Sequence, residues 1–135
     1  MSHLTESIST PHAAAPGAHY AQGVRSGDLV FTAGCVGVNL EGAVVEGFEA
    51  QVHQAIENVR ATLRAGGTDL EHVIKTTCFV TRRDDFPLLD PIYRKYFPDP
   101  PARSTIVCDL VREAFLFEIE AIARVPPDGG THPRA

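Results

Sequence analysis

The stretch PPARSTIVCDLVREAFLFEIEAIARV, residues 100–125, decides the fold prediction because its second half has the alternating pattern of a β-strand. Successive side chains of a strand point to opposite faces of the sheet. One face is wholly apolar and consists of Phe115, Phe117, Ile119, Ala121, Ala123 and Val125. The other face mixes apolar and charged groups and consists of Leu116, Glu118, Glu120, Ile122 and Arg124. This mixed face is too apolar for open solvent and too charged for a core, so neither environment by itself accounts for it.

The preceding segments predict an α+β domain with the element order ββαβαββ. Apolar residues recur at helical intervals between residues 47 and 67, where a Gly-Gly pair ends the pattern. The other predicted elements are two strands within 17–38, a strand at 72–81, a second helix at 84–97 and final strands at about 103–110 and 114–125. Residues 1–16 and 126–135 are rich in Pro, Gly, Ala and His, which predicts flexible tails around a single domain at 17–125.

Two amphipathic helices can cover only one face of such a sheet, and the apolar face of the last strand is the natural one to receive them. The mixed face then remains uncovered. Large exposed apolar patches mark interfaces, so Leu116 and Ile122 favour a homo-oligomer that packs through its sheet faces. Glu118 and Glu120 would then lie near a subunit boundary.

Composition narrows the class of protein. The chain has 135 residues and a formal net charge of −5, and its Lys and Arg residues are scattered, which disfavours nucleic-acid binding. Cys35, Cys78 and Cys108 form no C-x-x-C pair, and the odd count favours reduced thiols in a cytoplasmic protein. The N-terminus lacks the pattern of a signal peptide, and no apolar run approaches the roughly 20 residues that span a membrane, so no membrane association is expected.

Arg103 and the two glutamates are the candidate chemical groups. An arginine at the start of a strand can bind a carboxylate through two parallel hydrogen bonds, or it can form a structural salt bridge. Glu118 and Glu120 share a face, so either can serve as a general base, or both can be solvated or paired between subunits. Gly34 and Gly37 within a predicted strand indicate a bulge or the close approach of a backbone or ligand. No cluster of side chains predicts a metal site.

Four segments resemble one known family in the same order along residues 11–125. They are APGAHYAQGV (15–24), LVFTAGCVGV (29–38), VIKTTCFV (73–80) and PPARSTIVCDLVREAFLFEIEAIA (100–123). Together they closely resemble the RidA (YjgF) family of reactive-intermediate deaminases. The resemblance implies a chorismate-mutase-like fold and a homotrimer with inward-facing sheets, outward-facing helices and ligand sites between subunits.

The resemblance also implies an activity. Family members with an arginine at this position hydrolyse 2-aminoacrylate, 2-iminopropanoate and 2-iminobutanoate to 2-oxo acids and ammonia, without a cofactor. Arg103 then matches the residue that binds the substrate carboxylate, and Glu118 matches the residue that activates water, opposite Arg103. Tyr20 matches a tyrosine contributed across the subunit interface. Backbone contacts and part of the pocket wall are implied for Gly34, Thr105 and Phe86.

Several positions depart from the family pattern. Thr105 stands where the family often has cysteine, and His19, Ala33 and Cys35 also differ from the usual residues beside the expected pocket. These departures leave open a different imine or enamine substrate, or a metabolite-binding or regulatory trimer without catalysis. An endoribonuclease activity, attached to some relatives, is disfavoured by the acidic balance. A chorismate mutase would need more cationic groups around its dicarboxylate substrate than Arg103 provides.

Overall fold

The computed structural model describes residues 5–127, which form one mixed β-sheet with two α-helices on the same face. The strands are β1 Thr5–Ile8, β2 Gly23–Ser26, β3 Leu29–Thr32, β4 Cys35–Val36, β5 Val73–Val80, β6 Ala102–Val107 and β7 Phe117–Arg124. The helices are α1 Phe48–Ala65 and α2 Leu89–Tyr96, and short 3-10 turns occupy Leu70–His72 and Arg83–Leu88. The strand order is β1-β2-β3-β7-β5-β6, with β4 also paired to β7.

The central strand β7 has the two faces that its sequence predicts. Phe117, Ile119 and Ala123 are fully buried, and the Phe117 ring meets the Phe48 ring of α1 edge-on at 5.9 Å. Glu120 and Arg124, on the alternate positions, are exposed. The strand pairs with β3 and β4 on one side and with β5 on the other, all antiparallel. The alternating pattern therefore predicted both the core strand and its uncovered face correctly.

The predicted first helix is confirmed as α1. Its residues Val52, Ile56, Val59 and Leu63 are completely buried against the sheet. Each such side chain stabilises the fold by about 1.5–3 kcal/mol through removal of apolar surface from water. The helix ends at the predicted Gly-Gly pair, where Gly67 has a φ of 93°, a conformation that favours glycine.

The second helix is shorter than predicted. Residues 84–97 were expected to form one helix, but Arg83–Leu88 forms a 3-10 turn and α2 begins at Leu89. Pro91 lies in the first turn of α2, where its missing N–H removes no helical hydrogen bond. The helix packs on the sheet through Tyr93, whose hydroxyl is 2.7 Å from the hydroxyl of Thr76 on β5.

Residues 5–16 differ from the prediction of a flexible tail over 1–16, of which residues 1–4 lie outside the described part of the chain. Residues 5–8 form β1, an edge strand that pairs antiparallel with β2. The Gln22 side chain then fastens the chain that follows, because its carbonyl accepts the Thr10 N–H at 2.7 Å and its amide donates to the Ala14 carbonyl at 2.9 Å. Of the predicted C-terminal tail, residues 128–135 lie outside the described part of the chain.

Candidate functional site

Arg103 lies on β6, at the edge of the sheet, and faces the side that the helices cover. It pairs with the buried Thr76 of the parallel neighbour β5, so the two side chains share a face. The guanidinium lies over the Tyr93 ring of α2, with its carbon 4.7 Å from the ring centroid. Its Nη1 donates to Asp90 Oδ1 at 2.8 Å. The arginine is thus supported on one face by an aromatic ring and at one nitrogen by a carboxylate.

The electrostatic surroundings keep Arg103 charged. Partial burial by itself lowers the pKa of Arg103, but the hydrogen bond and the charge of Asp90 outweigh that effect, and the net direction is upward. Among the described residues, Asp90 is the only hydrogen-bond partner of the guanidinium side chain. Since a guanidinium carries five N–H donors, a second carboxylate can bind on the remaining donors. The arrangement fits both readings of Arg103, as a structural ion pair and as a carboxylate clamp.

Thr105 follows on the same strand and lies opposite the buried Cys78 of β5. In the described part of the chain, β6 has only one neighbouring strand. Half of its backbone groups therefore face away from β5 and are open to a ligand or to a second chain. This geometry is compatible with a backbone contact at Thr105, and it does not depend on the side chain that stands there.

Glu118 lies on the other face of the sheet, on β7 beside β4. Its carboxylate occupies the space next to the Gly34 backbone, so closely that a Cβ at position 34 would overlap Oε2. The close approach at Gly34 is therefore made by the Glu118 side chain, and not by a backbone or a ligand as the sequence predicted. Partial burial raises the pKa of Glu118, and the charge of Glu120 raises it further. None of the ion pairs between described side chains includes Glu118, so no cation opposes these effects.

A break in the strand sequence creates the space that Glu118 fills. The Thr32 hydroxyl accepts the Ala121 N–H at 3.0 Å and donates to the Ala33 carbonyl at 2.8 Å, so a side chain replaces a backbone bond between β3 and β7. The strand is then interrupted at Ala33 and Gly34 before β4 begins at Cys35. The sequence predicted a bulge or a close approach here, and the structure combines a strand break with a close approach.

Two buried amides of α1 hold this region in place, and the sequence analysis missed them. Asn58 donates to the carbonyls of Val36 and Val38 at 3.0 and 2.9 Å. Gln51 accepts the Leu116 N–H at 2.8 Å, just before β7 begins. A usable signal was present, because Gln51 and Asn58 stand on the apolar side of the helical pattern, where a polar residue needs a partner.

The thiols beside the candidate groups are poor nucleophiles. Burial raises the pKa of Cys35 to about 12, with a further contribution from the negative charge of Glu118. Burial likewise raises the pKa of Cys78 to about 12, although the nearby Arg103 acts in the opposite direction. A thiol must lose its proton to react, so both cysteines stay neutral near pH 7.

The two exposed aromatic candidates lie apart from these groups along the chain. The Tyr20 side chain is half exposed, and its hydroxyl accepts the Gly17 N–H at 3.1 Å. Phe86 is exposed in the 3-10 turn that precedes α2. Exposed aromatic rings at these positions are accessible to a ligand or to a second chain.

One chain does not place Glu118 opposite Arg103. β5 lies between the strands that carry them, and the two side chains face opposite sides of the sheet. The predicted residues therefore form two groups, which we call the arginine half (Arg103 and Thr105 on β6) and the glutamate half (Gly34 and Glu118 at β4 and β7). A single site that used both halves would need a second chain.

The open face of the sheet carries exposed apolar side chains together with Glu118 and Glu120. Phe31 on β3 pairs with Ile122 of β7, and Ile106 on β6 pairs with Phe79 of β5. Phe31 and Ile106 are each more than one third exposed in the single chain. Their presence on the face away from the helices agrees with the interface predicted for the mixed side of β7.

Between residues 5 and 127, no group of three or more His, Cys, Asp or Glu side chains is arranged to hold a metal ion. No helix in that range is long and apolar enough to cross a membrane.

Comparison with known proteins adds the family. The model of the family described as Endoribonuclease L-PSP matches residues 10–125. The chain belongs to this family. The curated proteins matched by this RidA-family chain include the 2-iminobutanoate/2-iminopropanoate deaminase of Salmonella typhimurium, which is 36% identical over 125 residues, 89% of this chain and 98% of that protein. The family resemblance carried by the four quoted segments is thus confirmed.

Solved structures of family members share the fold. The YjgF gene product of E. coli is 34% identical, with a TM-score of 0.83 over 88% of this chain and 98% of the other. E. coli TdcF, solved with bound serine, is 31% identical, with a TM-score of 0.84 over 88% of this chain and 98% of the other. The α+β class, with one mixed sheet and two helices, therefore agrees with structures of the RidA family.

Proposed function

We propose that the chain hydrolyses small 2-imino acids and their enamine tautomers, such as 2-aminoacrylate, 2-iminopropanoate and 2-iminobutanoate, to 2-oxo acids and ammonia. The observation that carries the proposal is the state of Arg103, a charged and partly buried guanidinium at the sheet edge with donors left over for a second carboxylate. The Salmonella relative is named for this activity, and TdcF was solved with bound serine, which is also a small amino acid. No cofactor takes part in the proposed reaction.

The proposed chemistry needs orientation and proton transfer. Arg103 binds the substrate carboxylate through charge-assisted hydrogen bonds, each worth about 1.5–3 kcal/mol. The Thr105 carbonyl accepts a hydrogen bond from the protonated imine nitrogen, which fixes the electrophilic carbon. A water molecule adds to that carbon and gives its proton to the Glu118 carboxylate.

The second half of the reaction returns that proton. Glu118, now protonated, gives the proton to the amino group of the tetrahedral adduct. The C–N bond then breaks with both electrons on nitrogen, the hydroxyl proton passes to the departing ammonia as the C=O bond forms, and the 2-oxo acid and ammonium leave. The raised pKa of Glu118 suits both steps, because a carboxyl group whose pKa lies nearer to neutrality exchanges protons more readily in each direction.

In this proposal the active unit is a homotrimer with sites between subunits. The arginine half of one chain meets the glutamate half of its neighbour, and Tyr20 reaches the same site across the interface. The separation of the two halves within one chain and the exposed apolar residues of the open face support this arrangement. Light scattering on the purified chain measures the assembly, and a monomer at working concentration contradicts it.

A direct assay tests the activity. The purified chain is added while 2-aminoacrylate is generated enzymatically, and the release of ammonia and 2-oxo acid is followed. We expect faster release than in buffer alone. Equal rates with and without the chain would remove the proposal for that substrate.

Mixed oligomers test whether the two halves belong to different chains. Arg103→Ala and Glu118→Gln chains are each strongly impaired in this proposal, but co-assembled trimers contain some interfaces with both native residues. Random mixing restores about a quarter of the sites if each site takes one half from each neighbour in a cyclic trimer. If no activity returns although mass spectrometry detects mixed trimers, the shared site is wrong.

A metabolite-binding trimer without turnover is the second candidate. This candidate is favoured by the Asp90 carboxylate, which already accepts a hydrogen bond from the Arg103 guanidinium. It predicts that 2-oxo acids bind while the rate in the aminoacrylate assay stays at the buffer value. RNA cleavage, which the family description names, is disfavoured by the net charge of −5 and the scattered basic residues, and RNA binding at low salt would revive it.

A further inference from the structure

The contact between Asp90 and Arg103 resembles the contact that a bound substrate would make. Asp90 Oδ1 accepts from Nη1 at 2.8 Å, which is the length of a charge-assisted hydrogen bond. The acceptor is a carboxylate, the same chemical group that the proposed substrates present to Arg103. The chain therefore supplies its own carboxylate at the position where a carboxylate ligand is expected.

The two partners of this pair are held with different firmness. The Arg103 side chain is only 19% exposed and rests on the Tyr93 ring, which Thr76 anchors through its hydroxyl. The Asp90 side chain is 47% exposed and has no second hydrogen-bond partner among the described residues. Asp90 is therefore the partner that can withdraw into water, while Arg103 stays in place.

Asp90 also has a second source of stabilisation when it leaves Arg103. It lies in the first turn of α2, where the free N–H groups of the helix favour a negative charge. Withdrawal from the guanidinium thus costs one hydrogen bond and leaves the carboxylate in a favourable field. The ion pair of such an exposed carboxylate contributes only a modest free energy, so a ligand carboxylate can compete with it.

We propose that Asp90 is an internal competitor for Arg103 that sets how tightly the site binds carboxylate ligands, an inference that rests on the proposed function. A substrate carboxylate must either displace Asp90 or share the guanidinium with a second negative charge. Both routes lower the affinity. An asparagine at position 90 keeps the accepting oxygen and the shape of the side chain but removes the charge, so it competes less.

The experiment is a binding titration with 2-oxobutanoate, a stable product-like carboxylate, monitored by calorimetry on the full chain at low ionic strength. We expect Asp90→Asn to lower the Kd by about three- to tenfold, the range for two like charges a few ångströms apart in a partly exposed site. KM in the aminoacrylate assay should fall with it while kcat changes little, because Asp90 acts on binding rather than on the reacting bond.

Asp84→Asn is the matched control, since Asp84 is exposed in the preceding 3-10 turn and its loss changes the net charge by the same amount. This control should leave the Kd at the value of the unaltered chain. If Asp90→Asn binds 2-oxobutanoate equally or less tightly while the unaltered chain binds it, the competitor role is wrong and the proposed function stands. If neither the unaltered chain nor any variant binds a 2-oxo acid, the carboxylate site itself is wrong and the competitor role is lost with it.

Discussion

Arg103 of the arginine half and Glu118 of the glutamate half come from one stretch of 26 residues, 100–125, yet they lie in opposite electrostatic environments. Arg103 faces α2 and is held by a counter-charge and an aromatic ring, both of which stabilise its charged form. Glu118 faces away from the helices beside a second carboxylate, and its pKa rises. One half is suited to hold an anion, and the other is suited to exchange a proton. This difference in electrostatic environment follows from the face of the sheet that each side chain occupies.

Removal of Arg103 should produce the largest effect. Arg103→Ala removes the guanidinium of the arginine half. The loss of its two charge-assisted hydrogen bonds to the substrate carboxylate should reduce kcat/KM by about 10³-fold. Steady-state kinetics with enzymatically generated 2-aminoacrylate measures the effect. Arg94→Ala on the exposed side of α2 is the control and should keep full activity. Full activity in Arg103→Ala would reduce the arginine half to a structural ion pair.

Loss of the proton-handling group should come next. Glu118→Gln keeps the shape of the side chain but not its basicity, so kcat should fall by about 10²-fold while carboxylate binding is retained. The matched variant Glu120→Gln, two residues along the same face, should stay within a few-fold of the unaltered chain. Equal losses of kcat in the two variants would contradict the assignment of the base to Glu118, which came from the sequence resemblance.

A smaller effect is expected from a methyl group at position 34. Gly34→Ala pushes the Glu118 carboxylate out of its place, and a displacement of this size should lower kcat by about tenfold. Gly17→Ala is the control for the effect of replacing a glycine by alanine without a steric clash, because a Cβ there meets nothing within 4 Å. Thermal unfolding of both variants separates a moved carboxylate from a destabilised fold. Unchanged kcat in a folded Gly34→Ala chain would contradict the role of Glu118.

The smallest effect concerns pH. In the proposed mechanism Glu118 is the base, so activity should be lost as pH falls through its folded pKa, which lies above the ordinary value of 4.5 because of burial and the charge of Glu120. Glu120→Gln removes that charge, lowers the pKa of Glu118 and should move the acid limb of the kcat profile to lower pH. The profile of each variant is measured across the acid range. A limb that stays fixed would mean that another group controls it.

Prediction from the sequence succeeded where a pattern repeats along one element. The period of two in β7 and the helical period in α1 reflect which side of each element meets the core, so both elements were correctly predicted. β1 was missed because three of its four residues, Thr5–Ser7, are polar and exposed and only Ile8 is buried, so the segment shows no apolar alternation. Its place depends on pairing with β2, which is a tertiary contact.

The candidate site was predictable as residue types but not as an arrangement. The motif around Arg103 pointed to a carboxylate ligand, and Gly34 pointed to a close approach. Asp90 gave no such signal, because an aspartate at a helix start is ordinary in any sequence. The contact of Asp90 with Arg103 is visible only in the tertiary structure, where α2 packs beside β6.

The sequence by itself determined the family, the two faces of β7 and the presence of Arg103 on β6 and of two glutamates, Glu118 and Glu120, on β7. Only the tertiary structure decided that Arg103 faces the helices, on the opposite side of the sheet from Glu118. The physical reason is the register of the pairing, because paired residues share a face: Arg103 pairs with Thr76, which faces the helices, and Glu118 pairs with Phe79, which faces away from them. Pairing between strands distant along the chain leaves no periodic mark in either segment.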